Sequence, residues 1–582
     1  MRWENGSPWL KVVYALILAF FLGSHVFFWQ WWFGIDVETW LLYIPFSAAW
    51  MYETTILGIA TLFFCWHIKV PAQKIASPSL RVSLITLTVP GSESTETVEK
   101  QLRAMAKVTY PHESWLLVDK VHSLEHLALC KKYGVKYFSR HDTDTWGNQQ
   151  ISLWNQLVPP FKAKTKAGNV NAWLDAYGYE NYDFFVQFDI DHTPIPQYLD
   201  YTLGHFQDPE VAWVQAPSLY GNSGVSWVAK GALEQEAILQ GPLQMGFYGA
   251  TETPYIIGSH CTYRTSAIQQ IDGFQPTRAE DHLDTVYLAA KGYKGVFVPD
   301  IIALGDAPET FNTYLGQQFA WAYSMAQVLF LYVPKKIRHF RGLQAIQFLY
   351  SQTWYPLWSL SMATLFLTPA IVLMTGQEFV SGIYLWEFLQ HFSPAFVANT
   401  CIYFWCRQYF PMGLSTMTWR QILLQVSRWP IVLMAIAQML LGIQKPYMIT
   451  PKGISKGVTR PFSVKIHTVF LALVLINIVS TVVFGTADSL SWIIFSLWGA
   501  SFFVFLYIIV LVMDLKQVWA EGASLREIIS NRWKPILTGF ILLTLKGAVV
   551  MSQAPFISKF TQSIPVIGKS TIEETVIRSD VQ

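Results

Sequence analysis

Charged side chains are scarce in this sequence. Lysine, arginine, aspartate and glutamate make up 14% of its 582 residues, whereas soluble domains carry about 25%. Hydrophobic residues make up 52%, so the composition excludes an ordinary soluble protein and indicates a membrane protein with several domains. The formal net charge of +2 excludes the strongly basic surface of a nucleic-acid-binding protein. We therefore expect no nucleic-acid partner.

Cysteine is also scarce, and its spacing carries no motif. The five cysteines form no Cys-x-x-Cys pair, which argues against a zinc ribbon or a dithiol redox centre. We expect reduced cysteines that are buried as small apolar side chains. We find neither internal repeats nor low-complexity tracts in the sequence.

Two long hydrophobic runs, 12–33 and 40–66, begin the chain. Each reaches the roughly 20 residues that cross a bilayer, so they predict a helical hairpin. Basic residues, among them Lys11 and Lys69, flank the hairpin, while its connection is acidic. The positive-inside rule then puts both ends of the hairpin in the cytoplasm. Glu53 lies inside the second run and is either a functional acid or an interfacial residue.

Membrane character returns after residue 336. Four further runs, which with the hairpin give six firm spans, are 345–374, 383–404, 466–484 and 491–513. Two shorter runs are doubtful spans, at 431–443 and 535–550. Arg407, Arg420 and Arg428 lie in an amphipathic stretch that we expect along the membrane surface.

The segment between these runs, from about residue 77 to 336, has the pattern of an α/β domain. Strand-like segments at 81–89, 115–118, 135–138, 184–188 and 211–214 alternate with helical ones. This order predicts a mostly parallel sheet with helices on both faces. We expect four parts: a transmembrane hairpin (1–70), the α/β domain (71–335), transmembrane and interfacial helices (336–552) and a tail (553–582).

Two carboxylates follow a buried strand in the segment 183–192 of that domain. Asp189 and Asp191 are spaced i and i+2, so they project from the same side of the strand end. Such a pair is suited to hold a divalent cation, Mg²⁺ or Mn²⁺, against a diphosphate. Asp119 also follows a strand, and ligands of these sheets bind beyond the carboxyl ends of the strands.

Three further groups are candidates, each with a plainer alternative. Lys166 precedes a glycine turn and either contacts phosphate or belongs to a solvated basic loop. Asp281, after Glu280, begins a predicted helix and is either a helix cap or a general base. The segment 317–321 opens the last predicted helix before the membrane, and its Trp321 either packs there or stacks on a sugar ring.

The order of these residues resembles the processive family-2 glycosyltransferases of the cellulose synthase type. The resemblance covers most of the chain, from the strand at Arg81 to the basic loop near Gly453. It implies a nucleotide-diphospho-sugar transferase domain of the GT-A type inserted between transmembrane α-helices. It also implies that Asp119, Lys166, Asp189 and Asp191 bind the nucleotide sugar, the last two with a metal.

The same resemblance implies the remaining roles. Asp281, beside Glu280, is the expected catalytic base, and Gln317, Gln318 and Trp321, with His282, are expected to hold the acceptor. The segment Thr450, Pro451, Lys452 and Gly453 is similar to the loop that gates the active site in that family.

Two positions depart from the family pattern. Ala320 stands where the acceptor motif has an arginine, so a cation facing the diphosphate is missing. Since charge-assisted hydrogen bonds are strong, we expect Lys166, Arg264 or Lys452 to substitute, or a different donor or acceptor. The first strand also ends in Pro90-Gly91-Ser92-Glu93 instead of the family's usual sequence.

Together these features predict an inverting, metal-dependent glycosyltransferase. It would transfer a sugar from a nucleotide sugar, for which a UDP-sugar is the expected donor, to a growing β-linked polysaccharide. The enzyme would also export this polymer, and accessory export subunits are expected partners. Aromatic residues of the third span, Trp354, Tyr355 and Trp358, would line the polymer path or form an interfacial belt. We expect an integral protein of a bacterial-type inner or plasma membrane with a cytoplasmic catalytic domain. The alternatives are a glycolipid acceptor, or a transporter without catalysis.

Overall fold

The protein is described by a computed structural model that covers residues 8–119, 121–140, 165–277, 279–380, 385–415, 417–443, 464–486 and 489–563. The chain divides into two compact units. The first contains Met1–Gly23, Ala48–Ala363 and Phe396–Arg460, and the second contains Ser24–Ser47, Thr364–Ala395 and Pro461–Gln582. All residues of the candidate site described below belong to the first unit.

The N-terminal helices are α1 (Pro8–Trp32), α2 (Trp40–Met51) and α3 (Leu57–Trp66). A π-helical turn, Tyr52–Ile56, joins α2 to α3 and contains Glu53. Such turns are rare and occur often at functional sites. The segments Trp9–Trp32 and Trp40–Trp66 are long and apolar enough to cross a membrane, in agreement with the predicted hairpin.

A seven-stranded sheet forms the core of the α/β domain, and a three-stranded sheet lies beside it. The strands are β1 (Val82–Thr88), β2 (Glu113–Val118), β3 (Lys136–Ser139), β4 (Phe184–Asp189), β5 (Thr193–Pro194), β6 (Val211–Gln215), β7 (Leu219–Tyr220), β8 (Cys261–Arg264), β9 (Lys294–Phe297) and β10 (Ala303–Gly305). The order in the large sheet is β3-β2-β1-β4-β8-β6-β9, and β5-β10-β7 form the small one. In the large sheet only β8 runs antiparallel to its neighbours, so the expectation of a mostly parallel sheet is confirmed.

This topology brings the predicted acids to one edge. β1 pairs in parallel with both β2 and β4. Asp189 is the last residue of β4, and Asp119 follows the last residue of β2. Their strands are buried along most of their length, which is typical of a sheet covered by helices on both faces. The two carboxylates therefore lie beyond carboxyl ends on either side of β1.

The helices of this domain lie between the strands and after them. They are α4 (Thr95–Met105), α5 (Leu124–Tyr133), α6 (Lys166–Trp173), α7 (Tyr179–Asn181), α8 (Tyr198–Thr202), α9 (Trp227–Ile238), α10 (Gln244–Thr251), α11 (Thr265–Gln269), α12 (Glu280–Ala290), α13 (Phe311–Gln327) and α14 (Val333–Lys336). Because Thr310 caps α13, residues 317–321 lie in the middle of that helix and do not open it, contrary to our expectation.

The C-terminal helices are α15 (Leu343–Thr375), α16 (Leu385–Cys406), α17 (Trp419–Ser427), α18 (Trp429–Leu440), α19 (Val464–Phe484), α20 (Leu490–Ala520) and α21 (Leu525–Ser563). Within the described residues, six helices are long and apolar enough to span a membrane; besides the N-terminal pair these are Leu343–Thr375, Trp419–Leu440, Leu490–Ala520 and Leu525–Pro555. The chain is thus an integral membrane protein by these criteria.

The number of candidate spans agrees with the six firm spans predicted, but their identity differs. Both doubtful runs belong to longer helices that qualify, because the helices extend beyond the apolar residues. The described part of the run 383–404 lies in α16, which carries Glu387 and His391 and does not qualify. The run 466–484 lies in α19, of which the part Thr468–Phe484 is apolar but shorter than a span, so this predicted span stays a prediction.

All five cysteines are free thiols, and four of them are buried. This outcome agrees with the expectation from their spacing. The sulfur atoms of Cys65 and Cys406 lie 3.5 Å apart, in hydrogen-bond contact.

Candidate active site

Three potential metal ligands meet at the end of β4. One ligand atom from each of Asp189, Asp191 and His192 lies within 4.8 Å of the others. The backbone turn responsible is closed by the His192 N–H, which donates to the Asp189 carbonyl at 2.9 Å. Asp191 is fixed by the backbone N–H of Asp306, which donates to its carboxylate at 3.0 Å. The turn after the strand thus adds an imidazole to the two predicted carboxylates.

His192 was not among the residues predicted from sequence, although it directly follows the acidic pair. Its Nδ1 lies 3.6 Å from Asp191 and has no hydrogen-bond partner. On its other side, Nε2 lies 3.3 Å from the hydroxyl of Ser218. Gly305 lies against the ring, since a Cβ there would be 2.2 Å from it. Carboxylate oxygens and an imidazole nitrogen suit Mn²⁺, and Mg²⁺ accepts the oxygens, so these residues fit a divalent cation.

Lys166 lies among the acids. Its ammonium nitrogen is 2.8 Å from Asp189 and 3.0 Å from Glu280, and it donates to the Gly258 carbonyl at 2.5 Å. The N-cap of its helix is Thr165, whose hydroxyl accepts the N–H of Gly168. With only 16% of its side chain exposed, Lys166 does not belong to a solvated loop, so that alternative is wrong for this lysine.

Asp281 stands in the first turn of α12, opposite Lys166. Its two carboxylate oxygens accept the backbone N–H groups of Gly258, at 2.6 Å, and His282, at 2.8 Å. Gly258 has a φ of +23°, in a region that favours glycine, and a Cβ there would be 3.0 Å from this carboxylate. Burial raises the pKa of Asp281, against the lowering effect of Lys166. A buried carboxyl with a raised pKa is a better proton acceptor than an exposed one.

Glu280, unlike its neighbour Asp281, forms an ion pair with Lys166. Its side chain is only 5% exposed. Burial raises the pKa of Glu280, and the ammonium group of Lys166 opposes that shift. The lysine therefore links the acid at the end of β4 to the acids at the start of α12.

Asp119 is held by a residue that sequence reasoning missed. Arg140 forms a bidentate pair with it, with two N–H···O distances of 2.9 Å, and both side chains are buried. The same guanidinium donates to the carbonyl of Thr165 at 3.1 Å. The spacing of 21 residues between the partners carries no motif, because the contact depends on β2 and β3 being neighbours in the sheet.

The predicted acceptor residues lie on α13 and, for His282, in the first turn of α12. Gln318 is buried and accepts the hydroxyl of Tyr355 at 3.3 Å. Trp321 is 37% exposed, and both it and Gln317 line a cavity that is described below. His282 also lines it; its ring stacks on Tyr255 with centroids 4.8 Å apart, and burial lowers its pKa to about 4.

Arg428 was expected on the membrane surface, and the structure contradicts this. Its side chain is 7% exposed and donates to Gln318 and to Gln425. The guanidinium carbon lies 5.0–5.7 Å from the ring centres of three aromatic residues of α15, Trp354, Tyr355 and Trp358. Aromatic faces attract a guanidinium, so these rings hold its plane in place.

Of the three cations expected to replace the motif arginine, the structure excludes Arg264. Its guanidinium donates to the backbone carbonyls of Val211, Phe206 and Asp208, each at 2.9 Å. Lys166 is in the cluster described above. Lys452, like Thr450, Pro451 and Gly453, lies outside the described residues.

One cavity of about 840 Å³ connects these groups within the first unit. Its lining includes the acids Asp119, Asp189, Asp191, Glu280 and Asp281. The same cavity reaches Trp321, Trp354, Tyr355 and Trp358 and extends to Glu53 in the π-helical turn. An acidic site at a sheet edge and the aromatic face of a candidate membrane helix therefore line one continuous space.

The sequence comparisons agree with this geometry. The sequence model described as "Glycosyl transferase family group 2" matches residues 184–409. The chain is 23% identical over 265 residues to "Probable glucomannan 4-beta-mannosyltransferase 14" of Arabidopsis thaliana, covering 43% of this chain and 46% of that protein. It is 26% identical over 239 residues to "Cellulose synthase 1" of Komagataeibacter xylinus, covering 39% of this chain and 15% of that protein. The matched parts thus span less than half of either relative.

Among solved structures, the chain is similar to "Mannosyltransferase PcManGT from Pyrobaculum calidifontis in complex with GDP-Man and Mn2+". The TM-score is 0.45 at 15% identity, covering 69% of this chain and 100% of that one. It is also similar to glucosyl-3-phosphoglycerate synthase from Mycobacterium tuberculosis in complex with Mn²⁺ and UDP, with a TM-score of 0.29 at 13% identity, covering 43% of this chain and 79% of that one.

Proposed function

The chain is a family-2 glycosyltransferase with distant homology to cellulose synthases, and we propose that it builds a β-linked polysaccharide. The enzyme takes the sugar from a nucleoside diphosphate donor, a UDP-sugar, inverts the anomeric centre and passes the product into the membrane. The observation that carries this proposal is the continuous cavity from the acids of β4 and α12 to the aromatic residues of α15.

The donor end of the cavity is suited to a metal–diphosphate complex. Asp189 and Asp191, with His192, would hold Mg²⁺ or Mn²⁺, which neutralises charge on the diphosphate leaving group. Lys166 supplies a second cation at the same place, 2.8 Å from Asp189. Asp119, fixed by Arg140, lies at the same sheet edge as Asp189 and binds the nucleotide.

Asp281 is the general base of the proposed reaction. The acceptor hydroxyl oxygen forms a bond to the anomeric carbon, the bond from that carbon to the diphosphate oxygen breaks, and the hydroxyl proton passes to Asp281. The N–H groups of Gly258 and His282 orient the carboxylate. Glu280 acts through Lys166, with which it is paired. A single displacement of this kind inverts the configuration and needs no covalent intermediate.

The acceptor end combines an aromatic face with amides. Trp321 offers a partly exposed ring to the cavity, and Gln317 and His282 line the same wall. Aromatic rings with polar neighbours suit sugars, which have apolar faces and hydroxyl rims. Gln318 positions this wall through its bonds to Tyr355 and Arg428.

The membrane location follows from the six candidate spans, and we assign the α/β domain to the cytoplasmic side. The basic residues that flank the first two helices support this assignment through the positive-inside rule. A nucleotide sugar would reach the acids from that side, and the polymer would leave along α15. Accessory export subunits would act beyond the membrane.

The test is a donor screen with sizing of the product. Purified full-length protein in detergent is incubated with Mn²⁺ and labelled nucleotide sugars, and products are separated by size. Polymers that lengthen with time support the proposal. A single sugar on an extracted lipid would instead establish the glycolipid alternative. Failure to bind UDP with Mn²⁺ and to turn over any nucleotide sugar would refute both.

A further inference from the structure

Arg428 is a buried charge whose partners carry no opposite charge. Its guanidinium bonds the amide oxygens of Gln318 and Gln425, and its Nε–H has no hydrogen-bond partner. In the described part of the chain, no carboxylate lies close enough to form an ion pair with this guanidinium. An unpaired buried charge is costly, so this arrangement calls for an anion that the described residues do not supply.

Two other arginines of the chain have a carboxylate partner, which Arg428 lacks within the described residues. Arg140 is paired with Asp119, and Arg420, on the same helical segment as Arg428, is paired with Glu234 at 2.5 Å. Arg428 instead faces the cavity, whose lining it joins. It also lies in a candidate membrane span, Trp419–Leu440, and ionisable residues there that face a bundle interior mark substrate paths.

An acid in the same cavity, Glu236, does not cancel this charge. Glu236 of α9 lines the same cavity, and its carboxylate accepts the amide of Gln240 at 3.3 Å. Burial raises the pKa of Glu236 to about 7, although Gln240 and Arg428 both lower it. Near neutral pH this acid is therefore ionised only in part, and its carboxylate is not in an ion pair with Arg428.

The position of Arg428 belongs to the acceptor end of the cavity. It bonds Gln318, three residues before Trp321 on α13, which is about 5 Å along the helix axis and close to the length of one sugar unit. The three aromatic rings within about 6 Å of its guanidinium carbon come from α15. The donor end already carries Lys166 beside the metal-binding acids, so a second cation is not required there.

We propose that Arg428 binds an oxyanion carried by the acceptor glycan, a carboxylate or a phosphate, one or two sugar units beyond Trp321. The proposal rests on the proposed function and adds to it that the acceptor is acidic. The planar guanidinium matches a carboxylate or a phosphate in a forked geometry, and the aromatic rings around it keep it oriented.

Binding of oligosaccharides tests this without catalysis. The probes are three β-linked oligosaccharides of equal length: a neutral hexose oligomer, a hexuronate oligomer and a 6-phosphorylated oligomer. Quenching of tryptophan fluorescence in the detergent-solubilised full-length chain reports binding, since Trp354 and Trp358 adjoin the guanidinium. We expect at least one acidic probe to bind about tenfold or more tightly than the neutral one, with an affinity that falls when salt rises from about 0.05 to about 0.5 M. Which acidic probe binds better identifies the source of the oxyanion.

Variants test whether the preference for acidic oligosaccharides depends on Arg428. Arg428→Gln should lose about tenfold in affinity for the acidic probe and keep its affinity for the neutral one, while UDP with Mn²⁺ still binds. Arg407→Gln, at an exposed arginine of the same unit, is the matched control and should behave as wild type. If Arg428→Gln does not fold, Arg428→Lys and the salt dependence of the wild-type preference decide the question.

Equal binding of neutral and acidic probes by the wild type would overturn the proposal. So would an Arg428→Gln variant that loses UDP binding yet keeps its preference for acidic probes, because the cation would then serve the donor. Failure of the proposed function is separate, since it appears as a lack of UDP and nucleotide-sugar binding.

Discussion

The ammonium nitrogen of Lys166 lies 2.8 Å from the carboxylate of Asp189, so a cation of the protein already lies beside the proposed metal ligands. We predict that Lys166→Gln lowers kcat by roughly ten- to a thousandfold, because one charge that stabilises the leaving diphosphate is lost. Steady-state kinetics at saturating Mn²⁺ measure this. Lys132→Gln, which removes an exposed lysine paired with Glu99, should leave kcat unchanged. Equal kcat in Lys166→Gln and wild type would remove this lysine from the reaction.

Replacement of the proposed base should separate binding from turnover. We predict that Asp281→Asn lowers kcat by about a hundredfold to ten-thousandfold, the contribution of a positioned base. The Kd for UDP with Mn²⁺, measured by calorimetry, should change little, because the carboxylate is held by Gly258 and His282 and not by the metal ligands. Asp200→Asn, at an exposed position on α8, is the control. Retained turnover in Asp281→Asn would assign the proton transfer to another group.

Gly305 should control metal affinity through His192. A Cβ at this glycine would lie 2.2 Å from the imidazole, so Gly305→Ala must displace the ring. We predict a loss of roughly ten- to a hundredfold in Mn²⁺ affinity, as for changes that disturb a ligand's orientation, measured by electron paramagnetic resonance titration. Gly316→Ala is matched, since a Cβ there meets nothing within 4 Å. Unchanged affinity in Gly305→Ala would exclude His192 as a ligand.

The pair of Arg140 and Asp119 should contribute strongly to stability. Arg140→Gln leaves a buried carboxylate without its bidentate partner, and breaking such a pair costs about 3–5 kcal/mol. Thermal unfolding of the solubilised protein should show a clear decrease in Tm. Arg81→Gln removes an exposed arginine from its pair with Asp183 and should change Tm far less. Similar shifts in both variants would mean that burial does not strengthen the first pair.

Acid should destabilise the α/β domain through His205. Burial, followed by the nearby charge of Lys74, lowers the pKa of this histidine from 6.5 to about 4. The unfolded chain therefore binds a proton below pH 6.5 that the folded chain does not bind until about pH 4, so stability falls as the pH decreases through that window. The loss amounts to about 3 kcal/mol. Tm measured against pH should show a weaker acid dependence in His205→Gln than in wild type; identical curves would exclude this histidine.

The sheet and its acids were predictable because their signals are local. Alternation of apolar strands with helices indicated β1, β2, β3, β4 and β6, and the pair Asp189 and Asp191 could be located from its spacing alone. Gly134 ends α5 with a φ of +68°, the left-handed conformation that favours glycine at a helix end. In each case residues that are close together in the sequence determine the local structure.

The missed residues depend on contacts between distant segments. From the sequence, Arg428 is predicted to be a surface cation of a basic amphipathic stretch. The aromatic residues that bury it belong to α15, some 70 residues earlier in the chain, so local sequence does not show the contact. From the sequence, Arg140 is an ordinary polar residue at the end of a strand, and only the pairing of β2 with β3 brings it to Asp119. His192 required the turn after β4 and the close approach of Gly305. The identity of the membrane spans was misjudged where apolar residues form only part of a longer helix.

The shared cavity has a consequence for how the protein can be studied. Its walls come from the α/β domain and also from α15 and α17, which follow that domain in the chain. A fragment limited to residues 71–335 would keep the acids of the donor end but would lack an entire wall of the acceptor end. Such a fragment would be suited to nucleotide binding alone, whereas inhibitors of chain elongation must be sought with the intact polypeptide in a lipid or detergent environment.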